Sequence, residues 1–316
     1  HVLDRLSGHL PDAEDQALFV HTSLEFSNLC VGLGQGFDRL SAILLKARAV
    51  SQDLGDRRSR ALIHLHLGRL HYFGNRIPEA MGAFSEGKAE VEDLGDEDIL
   101  IEAAEFIGMY YLVQGRFSEA RTHFEVAALS YDTGEPTRLT NPSAPLWLVI
   151  CAVYLAQFHD AIGTADYYHR LARDRSDQGL AALLQAILGV VLSHIHRSEE
   201  AESNLSSALE KSVQTKNVLA GTFAKAGIGY QFYREGRFHE ARDWIAQSLA
   251  DIHASWVILE YVSDIVLETV LELGRNVFEC VTSFDLQSEL KKIMRKPSIH
   301  LRGVALRLRA IAAAAG

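Results

Sequence analysis

The segment GRFSEARTHF (115–124) returns 121 positions later as GRFHEARDWI (236–245). Neither copy carries a nucleophile, a metal-ligand pair or a phosphate loop, so what recurs is a structural unit. Alignment on Ala120 and Ala241 brings the rest of the chain into register. Ala80, Ala161 and Ala201 take the same position, and Leu40 takes it in the first copy. The series 40, 80, 120, 161, 201, 241 has a period of 40 with one extra residue, the mark of stacked helical hairpins.

Each unit follows one plan. A small residue stands twelve positions before the alanine (Gly68, Gly108, Gly189, Gly229), with Asn28 and Val149 as exceptions. Gly115 and Gly236 fall where the chain must leave a helix, a position that favours positive φ. Phe37, Ile77, Phe117, Phe158 and Phe238, three residues before the aligned position, are expected to start each second helix and pack back on the first. Leu44, Phe84, Phe124, Leu205 and Ile245 continue its apolar stripe. Gly108 is expected to face Ala120 and let the two backbones approach, so that a larger side chain would overpack the crossing by roughly 1–3 kcal/mol.

Unit ends are marked as well. DLGD at 53–56 and 93–96, and DTGE at 132–135, read as a helix stop, a glycine and an acidic helix start. The segment 133–145 holds three prolines and absorbs the extra residue, which predicts a bend or loop there. A seventh hairpin is expected over 256–294, turning near 273–276. Residues 299–313, with Leu301, Val304, Ala305, Leu308 and Ile311 on one face, read as a capping helix. Residues 1–16, with Val2, Leu3, Leu6 and Leu10 at helical spacing, read as the remnant of a preceding unit. The expectation is one solenoid domain over 1–316, all-α, with about seven repeats of about 40 residues and a C-terminal cap.

A net charge of −10 argues against general nucleic-acid binding. From Lys291 onward there are seven Lys/Arg and no acid, which leaves −17 for residues 1–290. This basic end reads as a solvated cap that could also dock an acidic partner. Cys30, Cys151 and Cys280 show no disulfide framework and no zinc spacing, which suits a reducing, cytoplasmic setting. The chain begins at His1 without a signal-peptide pattern and reads as part of something longer. The most apolar stretch, 144–156, is too short for a membrane span and reads as a helix buried on several sides.

With Gly108, Tyr111, Gly115, Phe117, Ala120, Phe124 and Ala127 in place, the third unit resembles a tetratricopeptide repeat. The sixth matches through Gly229, Gly236, Phe238, Ala241 and Ile245. The resemblance implies a right-handed superhelical solenoid. The longer period, the DLGD unit ends and the opening LDRLSGHLPDAEDQALFVHTSLEF (3–26) also resemble the C-terminal sensor array of large bacterial signalling ATPases. Those proteins are fused to cyclases, kinases or helix-turn-helix activators such as the maltose regulator.

In the repeat family the first helix of each hairpin lines the concave face and supplies ligand contacts. By register the resemblance places Glu25, Phe26 and Leu29 there in unit one, and Leu65, His66, Arg69, Tyr72 and Phe73 in unit two. Unit three adds Glu105, Phe106 and Met109; later units add Trp147, Ile150 and Tyr154, Val190 and His194, then Tyr230, Tyr233 and Arg234. An apolar, aromatic face of this size marks an interaction site unless a tight superhelix or a neighbouring copy covers it. Family members that bind chaperone tails present Lys and Asn where this chain has Glu25, Leu65, Glu105, Leu29 and Met109, so that ligand is not expected.

Other motifs resolve to architecture. His64 and His71 lie two turns apart with His66 nearly opposite, which is not metal-ligand spacing, and no metal or cofactor is expected. GLGQG (32–36) has no preceding strand and coincides with a hairpin turn, so it is not read as a phosphate loop. NLS (204–206) is a glycosylation triplet only in a secreted protein. The expected function is a non-enzymatic sensor or docking module of a bacterial regulator that binds a protein segment or peptide. The alternatives are small-effector sensing near Arg69, Tyr72, Trp147 and Tyr154, or self-association as a homodimer.

Overall fold

The computed structural model describes residues 12–33, 37–74, 76–133, 143–254 and 299–315, with positions 269, 290, 291 and 294. The seventh hairpin, its turn near 273–276, residues 1–11 and most of the proline-rich segment lie outside the described residues. The chain divides into two compact units, His1–Ala144 and Pro145–Gly316. The described residues contain no strand.

Unit 1 holds three hairpins: α1 (Ala13–Leu33) with α2 (Phe37–Asp53), α3 (Arg57–Phe73) with α4 (Ile77–Leu94), and α5 (Glu97–Val113) with α6 (Phe117–Thr133). The helices of each hairpin pack on one another, each second helix packs on the next first helix, and α1, α3 and α5 pack side by side. α1 begins at Ala13, so residues 13–16 belong to the first hairpin; the Asp15 N–H donates to Asp12 Oδ1 (2.9 Å) just before it. Unit 2 contains α7 (Ala144–Tyr154), α8 (Phe158–Asp174), α9 (Gln178–His194), α10 (Ser198–Thr215), α11 (Val218–Arg234), α12 (Phe238–Ala254) and α13 (Ile299–Ala315). Here α9 packs with α8, α10 and α11. It is apolar almost all round, as a helix covered on several sides must be. The apolar stretch beginning at Ala144 is also inside, buried through Ala152.

Second helices begin at Phe37, Ile77, Phe117, Phe158 and Phe238, the residues the repeat register points to. Two left-handed backbone positions recur along with them. The hairpin corner is left-handed at Gly115, Ala156, His196 and Gly236, and the junction between hairpins at Gly55, Gly95, Ser176 and Lys216. At the Gly115 corner the Gly115 N–H donates to the Leu112 carbonyl (2.9 Å) and the Arg116 N–H to the Tyr111 carbonyl (3.0 Å). The same pair forms at Ala156, where the Ala156 N–H donates to Val153 (2.9 Å) and the Gln157 N–H to Ala152 (2.8 Å). This double bond satisfies the last carbonyls of the helix and turns the chain. After each junction the next residue caps the new helix. Asp56 accepts from the Ser59 N–H, Asp96 from Asp98, Asp177 from Leu180 and Asn217 from Ala220.

The small residues seat side chains from the second helix, a contact the register did not name. A Cβ on Gly108 would lie 2.6 Å from Phe124. Gly68 faces Phe84 at 2.5 Å, Gly189 faces Leu205 at 2.6 Å and Gly229 faces Ile245 at 2.8 Å. The nearest side chain is one turn beyond the alanine in each case, and at Gly229 the Ala241 carbonyl oxygen also lies 3.2 Å away. Where the small residue is replaced by Val149, the register partner is Ala165, and both are fully buried.

Candidate functional site

First helices carry the residues assigned to ligand contact, and the units treat them differently. In unit 1, α3 is flanked by α1 and α5 and backed by α2 and α4. All of residues 61–70 are buried as a result. Leu65, His66, Arg69 and Tyr72 lie inside, as do Glu105, Phe106 and Met109 of α5. Leu29 is exposed, and Glu25, Phe26 and Phe73 are half-buried. The Tyr72 and Phe73 rings stand 5.4 Å apart.

The buried set is a polar cluster built around a charge. Arg69, 1% exposed, donates from Nη2 to Asn28 Oδ1 (2.7 Å) and lies over the Phe106 ring at 4.9 Å. Burial lowers its pKa to about 10 against the opposing pull of the Glu105 carboxylate. Nη2 is also 3.2 Å from His66 Nδ1, which in turn is 2.8 Å from Ser27 Oγ. Burial, reinforced by Arg69, pushes His66 well below its ordinary pKa, so the ring is neutral. With a guanidinium donor beside Nδ1, the tautomer assigned by this pattern carries its proton on Nε2. Ser143 Oγ donates to Glu105 Oε1. His66 Nε2 and the Nε and Nη1 of Arg69 are buried without a protein hydrogen-bond partner.

Sequence reasoning missed Ser27 and Ser143 here. Asn28 did leave a signal: a polar residue stands at the register position held by glycine in four other units.

In unit 2, Trp147, Ile150 and Val190 are buried in α7 and α9, and Tyr154 is half-buried. The assigned residues that come together with access to solvent are His194, Tyr230, Tyr233 and Arg234. The His194 and Tyr230 rings are 4.9 Å apart, Tyr230 and Tyr233 are 6.5 Å apart, and Tyr233 reaches Phe238 at 6.0 Å. Arg234, exposed at the end of α11, donates from Nη1 to the Tyr230 hydroxyl (3.2 Å). Its Nη2 lies 2.8 Å from Nδ1 of His196, the left-handed corner residue that sequence reasoning did not select. Burial, then the Arg234 charge, lowers the His194 pKa to about 4, so this ring is an uncharged platform at neutral pH. The arrangement offers a run of tilted aromatic rings beside a guanidinium, a binding chemistry.

Among the described residues no group of three or more His, Cys, Asp or Glu side chains is arranged to hold a metal ion. No described helix is long and apolar enough to cross a membrane.

No family model and no curated protein sequence matches the chain. Among solved structures it is similar to a Rap protein complexed with competence and sporulation factor, at 14% identity and a TM-score of 0.60, over 95% of this chain and 78% of that one. The assembly chaperone of RpL4, Acl4, aligns at 13% identity and a TM-score of 0.37, over 85% of this chain and 95% of that one. Together with the 40-residue recurrence of corners, caps and glycine sockets, the first likeness shows what the chain is in structural terms: a tetratricopeptide-like helical-repeat fold.

Proposed function

We propose that this chain is a binding module that captures a protein segment or peptide, anchored in unit 2 by Tyr230, Tyr233 and Arg234 against the His194 ring. The observation that carries the reading is the grouping of partly accessible tyrosines around an exposed guanidinium at the end of α11. Tyrosine offers rigid contact area with a polar tip, and arginine pairs with carboxylates; both are enriched among residues that dominate binding energy. The Rap protein of similar fold was solved with a bound factor, which agrees with such a role. A role as a sensor or docking module of a bacterial signalling regulator is part of this proposal, and its support is the resemblance of the period and unit ends to sensor arrays.

The test is selection of peptides from a displayed random library on the full chain, followed by affinity measurement with Tyr230→Ala/Tyr233→Ala. The expected result is at least a tenfold loss of affinity with an unchanged far-UV circular dichroism spectrum. Undiminished binding overturns the site.

A second reading, a small effector with acceptor groups held in unit 1, is favoured by the three unpartnered buried donors of Arg69 and His66. A thermal-shift screen against sugars, nucleotides and amino acids tests it, since a tight ligand raises the unfolding midpoint. The shift should vanish in Arg69→Lys.

A further inference from the structure

Unit 2 also carries a groove lined by α10, α11 and α12, with none of the four proposed peptide anchors in its lining. It has a volume of about 350 Å³ and an apolar floor of Leu209, Val213, Ile228, Phe232 and Trp244. Val213 is 75% exposed, a large aliphatic side chain left open to water. Two exposed carboxylates, Glu202 and Glu210, stand along the α10 edge of this floor. The nearby guanidinium of Arg237, 3.9 Å over the Phe232 ring, is engaged by Glu235 and Glu240. The rim is therefore acidic.

The same chain holds a segment of complementary chemistry. α13 buries Ala305 and Leu308 on one side and exposes Arg302, Leu306 and Arg309 on another. Leu306 is 54% exposed between the two arginines. At a rise of about 1.5 Å per residue, Arg302 and Arg309 are about 10.5 Å apart along their helix, and Glu202 and Glu210 about 12 Å apart along theirs. Two bases flanking a leucine thus match two acids flanking an apolar floor.

We propose that the groove of one copy receives the α13 helix of a second copy, with Leu306 on the apolar floor and an arginine opposite each glutamate. The proposal is independent of the peptide site. One helix face in one groove covers less than the roughly 800 Å² per partner of a standard interface. Two reciprocal contacts related by a twofold axis double it and close the assembly as a dimer. Such a dimer is weak and sensitive to salt, because its charges lie at the rim.

The experiment is sedimentation velocity on the full chain across a concentration series, at about 50 mM and about 500 mM NaCl, where screening lengths differ about threefold. The expected result is a dimer that grows with concentration at low salt and recedes at high salt. Glu202→Arg/Glu210→Arg, and separately Arg302→Glu/Arg309→Glu, should each raise the dimer dissociation constant at least tenfold. The chain carrying all four changes should dimerise again, as should an equimolar mixture of the two double variants. Circular dichroism confirms that these surface variants are folded. A wild-type monomer throughout the series, a dimer indifferent to either reversal, or a fourfold variant that stays monomeric overturns the proposal. A monomer whose groove instead takes a basic peptide of another protein does so too.

Discussion

A Cβ placed on Gly108 would lie 2.6 Å from Cε1 of Phe124, closer than real side chains approach. Gly108→Ala is therefore expected to destabilise the chain by about 1–3 kcal/mol, the cost of overpacking, read as a lower urea midpoint. Gly108→Val should be partly rescued by Phe124→Ala, giving a favourable coupling in a double-mutant cycle. Additive effects would refute the socket.

Lys216 holds φ 54° at the junction before α11. A left-handed L-residue costs about 1–2 kcal/mol, offset by the entropy of about 0.5–1 kcal/mol that glycine loses on folding. Lys216→Gly should thus stabilise the chain by about 0.5–1 kcal/mol. Gly236→Ala should destabilise it by about 1 kcal/mol at a corner where nothing else obstructs the new methyl group. Both shifts are measurable by denaturant titration.

Arg69 is a buried charge favoured by the Glu105 carboxylate, so removing it alone takes an opposing charge away from that carboxylate. Arg69→Met is expected to cost about 3–5 kcal/mol, and Arg69→Met/Glu105→Gln to recover most of that, since a neutralised pair is tolerated. Chemical denaturation of the single and double variants checks this.

His194 has a folded pKa of about 4 against an ordinary value of 6.5. Between these values the unfolded chain binds the proton that the folded chain refuses, so stability is full above pH 6.5 and declines as pH falls toward 4. His194→Phe should flatten this slope by up to about one proton. An unchanged slope would show that the ring titrates freely.

Much of this architecture was legible because the repeat is a register, and register fixes which residues open each helix. Phe117 and Phe238 begin second helices where the alignment puts them. The side chain seated on each glycine escaped the register for a physical reason. Helical side chains lean toward the N-terminus, so Phe124, one turn beyond Ala120, reaches back over the crossing. The corners at Ala156 and His196 carry no glycine to announce them. Register did bring out His194 and Arg234, which stand forty residues apart and meet through Tyr230. The polar cluster was harder to read, because Ser27 and Ser143 matter only once α1 and the segment before α7 lie beside His66 and Glu105.

The left-handed corners at alanine and histidine, and junctions at serine and lysine, have a wider consequence. The bend is carried by a pair of main-chain bonds, which every amino acid except proline can make. A lineage built this way can shed its hallmark letters one after another and remain stackable, leaving kinship visible in shape after it has faded from spelling.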